Sequence, residues 1–141
     1  MRPSRVKHAF VEFVPDELER ATLYVSMEYG TVVHICLCGC GNPVVTPLSP
    51  TDWRLIYDGD TITLAPSVGN WSFPCQSHYV IRRSEVTWAG PMSREQIEST
   101  RDKDRCTKQA YYGAATASHS SHQEADTPAI KKTWWSRLLR W

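Results

Sequence analysis

Three cysteines within five residues constrain the fold of this chain more than any other feature of its sequence. They lie in the segment HICLCGCGN, residues 34–42, and a second cluster, CQSH, follows at residues 75–78. Zinc in proteins is usually bound by about four nitrogen or sulfur ligands at roughly 2.0–2.3 Å, often from separate chain segments. The two clusters therefore predict a metal site, with zinc as the expected ion, that joins two distant parts of the chain.

The spacing of the first cluster requires the chain to bend. A straight strand advances about 6.6 Å over two residues, so cysteines at alternate positions reach one ion only at a turn. Gly39 and Gly41 allow that turn, since glycine tolerates the φ values of a tight knuckle. A site of thiolates alone is typical of closed, structural zinc. The predicted ligands are Cys36, Cys38, Cys40 and Cys75, with His78 and His34 as alternatives to Cys36 for the fourth position.

Composition limits the class of protein and its compartment. The 141 residues fit one domain of ordinary size, and the 41% hydrophobic content allows a modest core. With 16 basic and 15 acidic residues, the chain lacks the basic excess typical of nucleic-acid binding. No apolar run is long enough to span a membrane and the N-terminus lacks a signal-peptide core, so we expect a cytoplasmic protein. Cysteines stay reduced in the cytoplasm, which favours metal binding over disulfides, although reduced cysteines can also be small core residues.

Short stretches rich in Val, Ile, Thr, Trp and Tyr, broken by Pro and Gly, predict a mainly antiparallel β domain with one trailing helix. Hairpins are expected across residues 28–30, across the Asp-Gly turn at 58–60 and across 84–85. Ser93 is predicted to cap the helix, with Gln96 completing a capping box. The predicted strands span residues 9–14, 22–27, 31–37, 44–46, 53–57, 61–65, 79–83 and 86–88.

The predicted division of the chain follows a change in composition after residue 99. We assign residues 1–92 to a zinc-containing β domain, 93–106 to the helix and 107–141 to a flexible tail. The tail ends in TWWSRLLRW, in which Trp134, Leu138 and Trp141 share one face at helical spacing. This end is expected either to dock back on the domain or to contact a partner or a membrane surface. Cys106 stands alone and is not expected to bind the metal.

If cysteines hold the metal, a histidine is free to act on a hydroxyl group. Pairing of the predicted strands at 61–65 and 79–83 would place Ser67 close to His78. Serine catalysis needs such a base within hydrogen-bond reach. A serine in a Pro-Ser turn is more often a local cap, and a histidine beside a cysteine is more often a ligand, so the residues alone leave both interpretations open.

A catalytic histidine usually has a third group that orients it. Glu28 is the first acidic candidate, because it lies at the predicted hairpin end near His34. Asp52 and Asp58 are weaker candidates for the same role.

Five short motifs together resemble a family of small bacterial proteins. They are MEY at 27–29, H-x-C-x-C-G-C-G at 34–41, TPLSPTDW at 46–53, PSVGNW at 66–71 and C-x-S-H-Y at 75–79. Members of that family are encoded beside bacterial ubiquitin-like conjugation genes. The resemblance covers residues 9–90 and implies a zinc-containing serine peptidase that processes or removes a ubiquitin-like protein.

The resemblance also implies roles for individual residues. Ser67 matches the serine of the Pro-Ser motif and would be the nucleophile. His78 would be the base, or His34 in its place, and Glu28 would orient the base.

Two functions of different classes remain open on the sequence. The first is a peptidase in which Ser67 attacks the carbonyl at the C-terminus of a ubiquitin-like protein, whose extended tail lies along a strand edge in a groove. That groove is predicted to be lined by Trp53, Trp71 and Tyr79. The second is a non-catalytic zinc-binding module that binds a partner, with the Trp-rich end as a further contact. Direct hydrolysis by the metal would need histidine ligands and an open coordination position, so the excess of thiolates argues against it.

Overall fold

Eight β-strands and one helix make up the part of the chain that the structure describes, residues 1–120 of a computed structural model. The chain divides into two compact units, residues 1–105 and 106–141. All the strands and the start of the helix belong to the first unit, and the described part of the second is the rest of that helix. The strands are β1 (Lys7–Phe10), β2 (Thr22–Ser26), β3 (Thr31–Ile35), β4 (Pro43–Pro47), β5 (Arg54–Tyr57), β6 (Ile62–Gly69), β7 (His78–Arg82) and β8 (Glu85–Trp88).

The strands form two four-stranded sheets in chain order, β1-β2-β3-β4 and β5-β6-β7-β8. All neighbours pair antiparallel except β1 and β2, which are parallel. The predicted mainly β fold with a C-terminal helix is therefore confirmed. The Asp-Gly turn closes the β5–β6 hairpin as predicted, and Asp58 Oδ1 accepts hydrogen bonds from the backbone of Asp60 and Thr61 at 3.0 and 2.6 Å. The β7–β8 turn uses Arg83 and Ser84, both with positive φ, one residue earlier than predicted.

The first strand differs from its prediction. Alternation of apolar and polar residues indicated a strand over 9–14, but β1 covers Lys7–Phe10. Its register pairs Phe10 with Val25, and the N–H of Val11 bonds to Val25, near the end of β2. Phe13 is 65% exposed, so the outer half of the predicted strand has no core surface to cover.

Helix α1 spans Arg94–Ser120 and begins at the predicted capping box. The Ser93 N–H donates to Gln96 Oε1 at 2.9 Å, and the Gln96 N–H donates to Ser93 Oγ at 3.2 Å. The prediction that the helix ends near residue 106 is wrong, because residues 107–120 include several alanines, a lysine and a glutamine, whose intrinsic helix propensity does not require a core. Among the described residues, no helix is long and apolar enough to cross a bilayer. The Trp-rich end at 133–141 lies outside the described residues.

The core is built from both sheets. Leu23, Val25 and Val32 of the first sheet cluster with residues such as Leu64 and Ile81 of the second, all fully buried. A polar pair joins the sheets inside this apolar core: His34 Nε2 of β3 lies 2.8 Å from the hydroxyl of Tyr79 on β7. Burial lowers the pKa of His34 to about 4, so the ring is neutral at neutral pH.

Replacing Tyr79 with phenylalanine should destabilise this core. Tyr79 is the hydrogen-bond partner of His34, and the other ring nitrogen of His34 has none among residues 1–120. An unsatisfied buried acceptor costs about 1–3 kcal/mol, so Tyr79→Phe should lower the free energy of unfolding by that amount in chemical denaturation. Tyr29→Phe is the matched control, because Tyr29 is 59% exposed. Equal unfolding midpoints for the two variants would contradict a structural role for the hydroxyl.

Candidate active site and metal centre

Four thiols meet at one point between the two sheets. The Sγ atoms of Cys36, Cys38, Cys40 and Cys75 all lie within 4.8 Å of one another. The distance from Cys36 Sγ is 3.3 Å to Cys38 Sγ and 3.9 Å to Cys75 Sγ. Sulfurs bound tetrahedrally to zinc at ~2.3 Å would lie about 3.8 Å apart, so the cluster fits a metal ion of that kind after small adjustments.

The chain between β3 and β4 forms the knuckle that gathers three of these thiols. Gly39 and Gly41 have φ values of +92° and +85°, as the predicted bend requires. The Cys40 N–H donates to Cys38 Sγ at 3.4 Å, and the Asn42 side-chain amide donates to Cys40 Sγ at 3.3 Å. The backbone N–H of Asn42 is the main cause that lowers the pKa of Cys40 to about 6.

Burial has the opposite effect on the deeper thiols. It raises the pKa of Cys38 to about 12 and raises that of Cys36 as well. Metal binding releases the thiol protons, and the positive charge of a bound cation would offset the cost of placing thiolate charge in this buried position. The donor set therefore fits a metal held by four thiolates.

A buried network surrounds the thiol cluster on its inner side. Ser77 Oγ lies 3.0 Å from Cys36 Sγ and accepts a hydrogen bond from the Asn70 amide at 2.9 Å. The same amide lies 3.3 Å from the Tyr79 hydroxyl. Asn70 was not predicted as a site residue, although its place inside the PSVGNW motif was a signal available in the sequence.

The hydroxyl of Ser67 lies beside an imidazole. Ser67 Oγ is 2.9 Å from His78 Nε2, and His78 Nδ1 is 3.3 Å from the carbonyl oxygen of Gly90. Both side chains are half-buried, so the pair is reachable from solvent. An Nδ1–H that donates to Gly90 leaves Nε2 free to accept the Ser67 proton. This arrangement is the one that general-base activation of a serine requires.

A bulge in β6 carries Ser67. Leu64 pairs with Ile81 and Val68 pairs with Tyr79, so three residues of β6 lie opposite Val80 alone. Gly69 pairs with His78, and Ser67, two residues before Gly69, lies on the same face of the sheet as the imidazole. Sequence-based strand pairing anticipated that these two segments meet, but it did not predict the bulge.

Among residues 1–120, no hydrogen bond or ion pair joins the other predicted catalytic residues to this pair. His34 is fully buried and bonds to Tyr79. Glu28 is exposed in the turn between β2 and β3, and no hydrogen bond or ion pair joins it to Ser67 or His78 within residues 1–120. Of the weaker candidates, Asp58 caps the β5–β6 turn, and Asp52 accepts a hydrogen bond from Ser49 Oγ at 2.7 Å.

Two contacts of His78 were not predicted from the sequence. The first is the carbonyl of Gly90, which reaches His78 because the N–H of Ala89 bonds to the His78 carbonyl at the end of β8. Every residue has a backbone carbonyl, so no sequence pattern indicates which one contacts the histidine. The second is the indole of Trp71, whose ring centroid lies 5.0 Å from that of His78 at an interplanar angle of 62°.

Two cavities flank the segment that carries Ser67. One, of about 590 Å³, is lined by residues that include Asp52, Trp53 and Pro66. The other, of about 270 Å³, is lined by residues that include Trp53, Gly69 and Trp71. Trp53 lines both cavities and Trp71 lines the smaller one, whereas their predicted role in a substrate groove stays a prediction. The prediction that Tyr79 lines a groove is wrong, because its side chain is fully buried.

A family model described as bacterial ubiquitination-like system serine protease (BubE) matches residues 10–89. The chain belongs to this family. The resemblance seen in the sequence motifs is therefore confirmed, and the family description makes the protein a hydrolase of the serine protease class. The part matched by the BubE family includes the cysteine cluster, Ser67 and His78. No curated protein and no solved structure gives a significant match to the chain.

Metal content offers a direct test of the thiol cluster. We expect about one zinc ion per purified chain, since structural sites of this type hold a single ion. Cys75→Ser should lose most of that zinc, because Cys75 closes the site from a separate segment. Elemental analysis after extensive dialysis measures the content. Cys106→Ser is the matched control, as Cys106 is exposed on α1, and equal metal content in both variants would contradict the assignment.

Proposed function

We propose that this protein is a zinc-stabilised serine peptidase that processes or removes a ubiquitin-like protein in a bacterial ubiquitination-like pathway. The observation that carries the proposal is the 2.9 Å contact between Ser67 Oγ and His78 Nε2 in a member of a serine protease family. The half-buried position of the pair supports it, as do the cavities lined by Pro66 and by Gly69, the neighbours of Ser67 along β6, since a substrate needs access on both sides of the bond to be cut.

The mechanism follows from the hydrogen bonds of His78. Its Nε2 takes the proton of Ser67 while Oγ attacks the substrate carbonyl, and the resulting imidazolium then protonates the leaving amine. The C–N bond breaks and leaves an ester between the substrate acyl group and Ser67. Water, deprotonated by the same nitrogen, hydrolyses that ester and restores the hydroxyl.

We assign the role of orienting the base to the carbonyl of Gly90 rather than to Glu28 or His34. The carbonyl accepts a hydrogen bond from the Nδ1–H and so favours the tautomer in which Nε2 is basic. A carbonyl dipole stabilises the imidazolium less than a full negative charge, so we expect a modest peptidase rather than a very fast one.

We assign the metal a structural role. Zinc bound by four thiolates has no open coordination position, and its contribution is to fix the knuckle at 36–42 to the segment at Cys75. That segment leads within three residues to His78. The metal therefore stabilises the start of β7, from which the base projects.

The proposed substrate end is an extended chain. The C-terminal tail of a ubiquitin-like protein can run through the two cavities, with Trp53 forming a common wall. Beside the larger cavity, β5 is an edge strand of its sheet, and Arg54 at its start lines that cavity. An extended tail could add to this edge through main-chain hydrogen bonds.

Ser67→Ala tests the nucleophile. The variant should lose cleavage of a ubiquitin-like precursor by roughly 10³-fold or more, because the attacking oxygen is gone, while zinc content and unfolding midpoint stay unchanged. Cleavage is followed by mass spectrometry of the product. Ser99→Ala, an exposed serine on α1, is the matched control and should cleave at the parental rate. Parental activity in Ser67→Ala would exclude the serine mechanism.

Glu28→Gln tests whether a carboxylate orients the base. Because Glu28 is exposed and no hydrogen bond joins it to His78 within residues 1–120, we expect kcat/KM within about threefold of the parent, as is typical of surface substitutions that touch no reacting group. His78→Gln, by contrast, should reduce kcat strongly. A loss in Glu28→Gln comparable to that in His78→Gln would instead place the carboxylate in the catalytic machinery.

A further inference from the structure

We infer that Trp71 is a positioning residue that holds the His78 imidazole against Ser67, and that position 69 is glycine because only glycine leaves room for the indole. This inference deepens the proposed function and rests on it. Nothing in the family description assigns a role to either residue.

The indole of Trp71 lies directly on the backbone of Gly69. A Cβ atom added at position 69 would be 2.5 Å from Trp71 Nε1 and 2.6 Å from its Cε2, closer than real side-chain atoms approach. The φ of Gly69 is not in the left-handed region, so the constraint at this position is space and not backbone conformation.

Gly69 is also the residue that pairs with His78 across the two strands. An indole placed over Gly69 is thereby placed against the facing imidazole. The ring centroids of Trp71 and His78 are 5.0 Å apart with an interplanar angle of 62°, an edge-to-face contact that aromatic rings favour. The absence of a side chain at Gly69 thus allows the Trp71 indole to contact the His78 ring.

The base needs this support because its other restraint is weak. The hydrogen bond from Nδ1 to Gly90 is 3.3 Å long, beyond the usual range of roughly 2.7–3.2 Å for such bonds. Rotation of the imidazole by half a turn would exchange nitrogen for carbon at both contacts and remove Nε2 from Ser67. The indole packed on one side of the ring opposes that rotation.

Trp71 also lines the smaller cavity, so a direct contact with substrate is the competing explanation. The two roles differ in what they change. A positioning residue affects kcat and the reactivity of Ser67 towards a small reagent, whereas a substrate contact affects KM for the protein substrate alone.

The experiment compares Trp71→Ala, Trp71→Phe and Gly69→Ala with the full-length parent. Four quantities are measured: kcat and KM for a ubiquitin-like precursor, the rate of Ser67 labelling by a small fluorophosphonate, and the ¹⁵N chemical shifts of the His78 ring. Phe13→Ala is the control for loss of an aromatic side chain, since Phe13 is 65% exposed. Zinc content and unfolding midpoint report whether each variant folds.

We expect Trp71→Ala and Gly69→Ala to lower kcat and the labelling rate together by about tenfold or more, with KM within about threefold. The ¹⁵N shifts should change from one tautomer in the parent to a mixture in these variants. Trp71→Phe, which keeps a ring against His78, should recover most of the rate. If Trp71→Ala fails to fold, Gly69→Ala and Trp71→Phe carry the same comparison.

Unchanged labelling and an unchanged His78 spectrum in Trp71→Ala would overturn the inference, as would an effect confined to KM. Failure of the proposed function gives a different result: Ser67→Ala would still cleave and the reagent would not label the parent. In that case the ring spectrum still decides whether Trp71 holds His78.

Discussion

The antiparallel pairing of β6 with β7 is the constraint on which the site depends. The N–H of Asn70 bonds to the Ser77 carbonyl at 2.9 Å, and this register sets Gly69 opposite His78. Because successive side chains of a strand point to opposite faces, Ser77 turns inward to the thiols while His78 turns outward to Ser67. One strand pair therefore serves the thiol cluster on one face and the hydroxyl–imidazole pair on the other.

The thiol cluster compensates for what this small fold lacks. The shared core is formed by short strands of four to eight residues, and it contains polar groups such as His34 that must be satisfied. A metal held by the thiols of the β3–β4 knuckle and of the loop before β7 would link the two sheets at this point. Ser77 Oγ lies within hydrogen-bond distance of Cys36 Sγ and accepts a hydrogen bond from the Asn70 side chain, so these polar groups beside the thiols have hydrogen-bond partners.

Sequence reasoning succeeded where local chemistry decides the structure. The Asp-Gly hairpin at Asp58, the capping box at Ser93 and the glycine knuckle each depend on one or two residues and on well-known backbone preferences. It failed where tertiary contacts decide. Alternation in residues 9–14 described a strand that β2 does not extend far enough to pair, and the polarity of residues 107–120 concealed their helical propensity. In the site, the proximity of Ser67 and His78 was predicted from strand pairing. The contacts of His78 with the Gly90 carbonyl and the Trp71 indole were not, because they depend on where β8 ends and on the space above Gly69, which no sequence pattern indicates.

The use of a main-chain oxygen beside His78 has a genetic consequence. Every residue type carries the same carbonyl, so no amino-acid substitution at position 90 removes the oxygen that accepts the hydrogen bond from His78 Nδ1. Such a substitution can only change the backbone conformation around residue 90. Insertion or deletion between Trp88 and Gly90 would shift the oxygen away from the ring. Selection at this point therefore acts on the length of the segment after β8 rather than on the type of residue at position 90.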